Sequence, residues 1–141
     1  MHVAFALFAD AANLSQEGKL NVLGVFDALQ VANLPAVHPR AHLVVHLKGT
    51  SLDIGPHTVS FRWLNPRGEE LWSSSGDLNV GAPPVGVSEM DLPLIAQLDL
   101  PMDSAGGYTM AIGIDGEHRV DIGVQVRSQG QAQAPNGGMV S

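Results

Sequence analysis

Cysteine is absent from the 141 residues of this chain. Disulfide scaffolds, thiolate nucleophiles and cysteine-ligated zinc or iron–sulfur sites are therefore excluded. The absence of disulfides fits a reducing compartment. Basic residues are scarce: 7 Lys and Arg stand against 14 Asp and Glu, a formal net charge of −7. A phosphate backbone or an anionic membrane calls for a basic patch, so no nucleic acid and no membrane is expected as partner. Charged residues of both signs make up only 15% of the chain. That is low for a fully solvated surface and leaves part of it for a protein partner or self-association. Long apolar runs are missing too; none approaches the roughly 20 residues of a membrane span. The opening MHVAFALFADAAN lacks a basic start, and Asp10 cuts its apolar run short, so it does not read as a signal peptide. A cytoplasmic protein is the expectation.

What is present is alternation. Tyr108, Met110, Ile112 and Ile114 alternate with Thr109, Ala111 and Gly113, and Val120, Ile122, Val124 and Val126 alternate with Arg119, Asp121, Gly123 and Gln125. A period of two marks strands with one buried face, and the Asp115-Gly116 between the runs marks a hairpin. Apolar parity sets the loop length. A two-residue loop at Asp115-Gly116 would place Ile112 opposite Arg119. A three-residue loop, Ile114-Asp115-Gly116, places Gly113 opposite Glu117 and Met110 opposite Val120, with the faces in agreement. The three-residue loop is the expectation.

The same pattern recurs upstream. His2 to Ala9 reads as a first strand and Leu20 to Leu29 as a second, joined by the turn-rich Asn13 to Gly18. The second is apolar on both faces, which predicts a central strand covered on both sides. Two prolines make Asn33 to Arg40 a loop crossing between sheets. His42 to Lys48 is a strand with Leu43, Val45 and Leu47 inward and His42, Val44 and His46 outward. Thr50 to Pro56 is a loop, and His57 to Leu64 a strand with Val59, Phe61 and Trp63 inward. Asn65-Pro66-Arg67-Gly68 has the signature of a type I turn. If Asn65 pairs with Gly68, Phe61 lies opposite Trp72 and Glu70 opposite Trp63. The next strand continues through Leu78 and Val80, past Ser73 to Gly76, where a bulge is expected. Gly81 to Gly86 is a second crossing. Ser88 to Leu100 then carries Pro93 on its outward side, which marks an edge strand. Residues 128–141 read as a flexible low-complexity tail and 1–127 as the folded domain. The fold class is all-β: an immunoglobulin-like sandwich of about seven to eight mostly antiparallel strands.

Chemistry is sparse. Six histidines invite a metal reading, but His42 and His46 on one strand stand about 13 Å apart at 3.3 Å per residue, too far for one ion. His38, His57 and His118 read as local loop and turn residues. Asp10 and Asp27 read as strand-end residues rather than an acid–base pair. Asp99, Asp103 and Asp115 lack the dense spacing of a calcium loop. Asn13-Leu14-Ser15 matches a glycosylation sequon, which has no meaning without secretion. Lys19, Arg40, Arg62 and Arg67 are too dispersed to form a stripe. Trp63 and Trp72 fall on the inside, so no stacking platform is expected. No catalytic, cofactor-binding or metal-ligating residue is assigned, no cofactor is expected, and the protein is not expected to be an enzyme.

The block FADAANLSQEGKLNVLGVFDAL, followed by LPAVHP, resembles a family of small bacterial proteins known only as a domain of unknown function. The resemblance extends from about Val3 to Arg127. It implies a cytoplasmic β-sandwich with no known activity and carries over no catalytic residue. Three expectations follow. The first is a non-enzymatic protein acting through protein contacts, motivated by an exposed Val44 and outward Leu23 and Val25. The alternative is a small-molecule or carbohydrate-binding module using the loops at Asn13 to Gly18 and Asn33 to Arg40. A hydrolase or metal enzyme would need two or more of His38, Asp10, Asp27 and His118 to converge in a cleft. The role of the Ala9 to Asp27 block is open at this point.

Overall fold

The computed structural model describes residues 1–129, and the sequence-predicted tail falls almost wholly outside them. Among the described residues nine strands form two sheets: β1 (His2–Leu14), β2 (Leu20–Phe26), β3 (Ala28–Val31), β4 (Ala36–Gly49), β5 (Gly55–Leu64), β6 (Glu70–Val80), β7 (Met90–Met102), β8 (Gly106–Ile114) and β9 (Glu117–Ser128). One short 3-10 turn, Ser51–Asp53, interrupts the expected loop between β4 and β5. The four-stranded sheet has the order β2-β1-β4-β7 and the five-stranded sheet the order β3-β9-β8-β5-β6. All pairings are antiparallel except β3 with β9. The all-β sandwich is thus as the alternation requires, and β7 is an edge, as Pro93 demanded.

The core lies between the sheets. Leu43, Val45, Leu47 and Leu100 face Val59, Trp63, Met110, Ile112, Ile122 and Val124 across it. Trp63 is its centre. Its ring stacks on Tyr108 at 5.2 Å between centroids and meets Phe8 edge-on at 6.0 Å. The indole N–H donates to the Pro101 carbonyl at 2.8 Å, so the only polar atom of this buried side chain is satisfied.

The expected second strand is two strands. The chain bends at Asp27, whose carbonyl accepts a hydrogen bond from the Gln125 N–H at 2.8 Å, and β3 then runs parallel to β9. Phe26 packs on the core from one layer, and Leu29 and Val31 from the other. Both halves point apolar residues at the same core, so periodicity alone reads them as one element. Nor is β2 central: it is an edge of its sheet. β1 is longer than expected, reaching Leu14. Its last residues pair with β2, in rungs from Ala11–Leu23 to Leu14–Leu20, while its ladder with β4 ends at Ala9–His42. The expected crossing at Asn33 to Arg40 shrinks, because Ala36 to Arg40, with His38, already belongs to β4.

Both hairpin registers differ from expectation, each by the placement of one extra residue. In β5–β6 the turn bond runs from the Gly68 N–H to the Asn65 carbonyl, as a type I turn requires. The closing bond, however, runs from the Asn65 N–H to the Glu69 carbonyl. The loop is therefore three residues, Pro66 to Gly68, and a register shift follows between Trp63 and Leu64. Trp63 then faces Trp72, Phe61 faces Ser74, and Glu70 faces Leu64. Ser73 to Gly76 pair regularly with Arg62 to Val59, so the bulge expected there is absent. That polar stretch belongs to an exposed edge strand and needs no irregularity to keep it out of the core.

In β8–β9 the loop is two residues. Ile114 pairs with Glu117 and Gly113 with His118. Asp115 and Gly116 have φ of 52° and 83°, the two positive values of a type I′ turn. Parity is restored one step further in, where a register shift between Ile112 and Gly113 lets Ile112 face Val120. The expected conflict of faces was real, but a bulge at Arg119 resolves it, not a bulge at Gly116. Side-chain chemistry favours this turn. Asp115, a residue type tolerant of left-handed backbone, accepts the Thr58 N–H at 3.0 Å and faces His57 at 2.7 Å.

Candidate interaction surface

In β1, β4 and β7 the residues that alternate with the core positions form rows on the outside of the four-stranded sheet. Phe5, His46 and Pro93 make one row, Leu7, Val44 and Ile95 the next, and Ala9, His42 and Gln97 the third. β2 extends them, with Val25 beside Ala9 and Leu23 beside Ala11. None of these residues belongs to the core between the sheets. Most are apolar, and no second layer covers them among the described residues. Leu23 is 73% exposed, Val25 61% and Phe5 40%. Val44, expected to be exposed, is fully buried. It sits between Leu7 and Ile95 in the ladder, so its row neighbours cover it. Phe5 meets the His46 ring edge-on at 5.0 Å.

The edge half of this surface is the block Ala9 to Asp27. Ser15 donates its N–H to the Lys19 carbonyl at 2.8 Å, closing the β1–β2 hairpin. On the outer face the Asn21 amide donates to Asn13 Oδ1 at 3.0 Å, which fixes the ribbon near its tip and occupies the sequon asparagine. Between the rungs Ala9–Val25 and Ala11–Leu23, Asp10 faces Gly24. Gly24 has φ of 72°, and a Cβ there would lie 2.5 Å from Asp10 Oδ2. Glycine at this position thus serves both backbone and space.

The polar residues cluster at two ends of the sandwich, in arrangements that satisfy themselves. At one end His57 Nδ1 lies 2.7 Å from Asp115 Oδ2, and Nε2 lies 2.6 Å from the Asp53 carbonyl. Both partners only accept, so both ring nitrogens donate and the ring is the imidazolium. The Asp115 carboxylate, then the Asp53 carbonyl, raises the His57 pKa above its ordinary value. The Asp53 carboxylate takes the Thr50 N–H at 2.8 Å and the terminal ammonium of Met1 at 3.1 Å, and these bonds lower its pKa. The cluster ties the chain start, the 3-10 turn and the β8–β9 turn together. It leaves no ring nitrogen free to take a proton from a substrate.

At the other end the Tyr108 hydroxyl lies 2.8 Å from both Asp103 Oδ1 and the Ser104 carbonyl. Asp103 Oδ2 accepts from the Asn65 amide at 2.9 Å and from Arg67 at 2.7 Å. Asn65, Tyr108, Ser104 and Arg67 together hold the Asp103 pKa down at about 2. Asn65 is the one buried polar residue among those described, and its side-chain oxygen accepts the N–H groups of Arg67 and Glu69. Beside this network Pro35, Ala36, Val37, Leu71, Pro101, Met102 and Asp103 line an open cleft of about 520 Å³.

The other candidates separate. His38 packs edge-on against Phe26 at 5.4 Å, and His118 lies 3.4 Å from Asp121. No hydrogen bond or ion pair links any two of His38, Asp10, Asp27 and His118 among the described residues. Asp99 accepts the Arg40 N–H at 2.9 Å, while Asp103 and Asp115 serve the two networks above. No group of three or more His, Asp or Glu among the described residues could hold a metal ion, and no helix among them is long and apolar enough to cross a membrane. The two networks escaped the sequence because their members are far apart in it. Asp53, His57 and Asp115 share no motif, and only the Asn65 turn and the Asp-Gly hairpin signalled where they would form.

No curated protein matches this chain. The family described as "Family of unknown function (DUF6941)" matches residues 4–127, and the chain belongs to it.

Proposed function

We propose that this protein is a non-enzymatic β-sandwich that acts through contacts with protein, made on the outer face of its four-stranded sheet. The observation that carries this reading is the composition of that face. Phe5, Leu7, Leu23, Val25, Pro93 and Ile95 form an apolar patch that no second layer covers among the described residues. Patches of this kind mark interaction sites on soluble proteins. The satisfied state of the polar clusters supports a role without catalysis, since His57 and Asp103 spend their hydrogen-bonding capacity on the fold. The test is capture from the native cell with wild-type protein and with Leu23→Asp/Val25→Asp. Wild type should retain a protein partner, of the same chain or another, that the variant loses while its melting temperature stays unchanged. Equal retention by the two proteins, or none by either, contradicts the reading.

A second reading has one observation in its favour. The cleft at Pro35 to Val37 is concave, partly apolar and formed by one of the two segments expected to bind a small molecule. Native mass spectrometry of gently purified protein tests it. A retained small molecule that Val37→Arg displaces would support a ligand-binding module, and ligand-free protein would count against it.

A further inference from the structure

We infer that the exposed edge of β2 pairs with the same edge of a second copy of this chain, joining two four-stranded sheets into one of eight strands. The inference rests on the proposed reading and names the partner for its edge half. Four strands end the two sheets, and they differ in how their edges are protected. β7 carries Pro93, Pro101, Asp91 and Asp99; β6 carries Glu70 and Asp77; β3 is four residues long. Prolines, charges and shortness are the usual guards against edge pairing. β2, Leu-Asn-Val-Leu-Gly-Val-Phe, has none of them.

The hairpin closure tells which backbone groups are free. The Ser15 N–H donates to the Lys19 carbonyl and the Lys19 N–H to Ser15 Oγ, so by alternation Asn21, Leu23 and Val25 continue the bonds to β1. By that alternation Leu20, Val22, Gly24 and Phe26 turn their backbone to the open side, with Gly24, at φ of 72°, departing from the extended form. A two-fold axis at Leu23 pairs these with one another: Leu20 with Phe26 of the second copy and Val22 with its Gly24, each twice over. Such an interface is isologous, as a closed dimer requires.

Charge selects this register. The only charges bracketing β2 are Lys19 and Asp27, both exposed, and neither side chain has a hydrogen bond or ion pair among the described residues. Each is four residues from Leu23, Lys19 just before β2 and Asp27 at the bend just after it. An axis at Leu23 brings Lys19 of each copy to the same end of the strand pair as Asp27 of the other. Two ion pairs then close the ends of an otherwise uncharged strand pair. Leu23 meets its own copy at the centre, and the apolar patches of the two sheets become continuous.

Sedimentation equilibrium of the full chain across the micromolar range tests this, with circular dichroism confirming that each variant folds. Wild type should dimerise. Lys19→Asp and Asp27→Lys should each weaken the dimer about tenfold, since each turns two attractions into two repulsions. The double variant Lys19→Asp/Asp27→Lys should restore wild-type association. A monomeric wild type, a dimer indifferent to the single changes, or a double variant as weak as the singles would overturn the inference. A monomer that still retains another protein through Leu23 and Val25 overturns the self-pairing alone and leaves the broader reading intact.

Discussion

Replacing Gly24 by alanine probes the Ala9 to Asp27 block directly, because two separable costs meet at one methyl group. The first is backbone. Gly24 has φ of 72°, and holding an L-residue in that left-handed region costs about 1–2 kcal/mol. The second is space. The new Cβ would lie 2.5 Å from Asp10 Oδ2, 2.9 Å from its Cγ and 3.0 Å from its Cβ. Rotation about χ1 can carry the carboxylate away but leaves the Asp10 Cβ where it is. The clash is therefore relieved only in part, adding on the order of 1 kcal/mol of overpacking. The sum, about 2–3 kcal/mol, lowers the melting temperature by about 5–12 °C for a chain of this size. Urea denaturation of Gly24→Ala, Asp10→Gly and the double variant separates the terms. Asp10→Gly removes the obstructing side chain, so the double variant should recover the steric part and keep the backbone part, a favourable coupling of about 1 kcal/mol. Strict additivity of the two single effects would refute the reasoning that Asp10 is packed over Gly24.

Two pH predictions follow from the polar ends. His57 is raised above its ordinary 6.5 by Asp115 and the Asp53 carbonyl. Its contribution is complete below the unfolded value and is lost as pH rises through the folded one, so stability should decline on the alkaline side of 6.5. His57→Asn should flatten that decline, and an NMR titration of the ring that shows a lowered pKa would contradict it. Asp103 falls from 3.8 to about 2 through Asn65, Tyr108, Ser104 and Arg67. Its contribution is present above 3.8 and lost as pH falls towards 2, so Asp103→Asn should remove part of the acid-induced unfolding in that window. An unchanged acid limb in urea titrations would count against the network.

Strand existence was legible wherever apolar residues alternate, because burial on one face imposes the period directly. The edge position of β7 was legible from Pro93, since a proline cannot complete a central ladder. Register was not. Each hairpin needs one extra residue to bring its faces into agreement, and the sequence reveals the need without the location. In β8–β9 that location is decided by Asp115, whose bonds to Thr58 and His57 come from a neighbouring strand 57 and 58 residues away. The break at Asp27 was hidden for a related reason: Phe26 and Leu29 face one core from opposite layers, and alternation records the core, not the layer. The candidate surface was half legible. Leu23 and Val25 stood out as apolar and outward, but the same pattern fits a central strand, and only the pairing order shows that no strand among the described residues lies beyond β2.

On the proposed function, the outer face of the four-stranded sheet meets protein in the cell. Site-specific photocrosslinking in the native cell tests it most directly, with the reactive side chain at position 25 on that face or at position 37 beside the cleft. A defined protein adduct from position 25 and none from position 37 is the expected outcome. Adducts from position 37 alone, or from neither position, would contradict it.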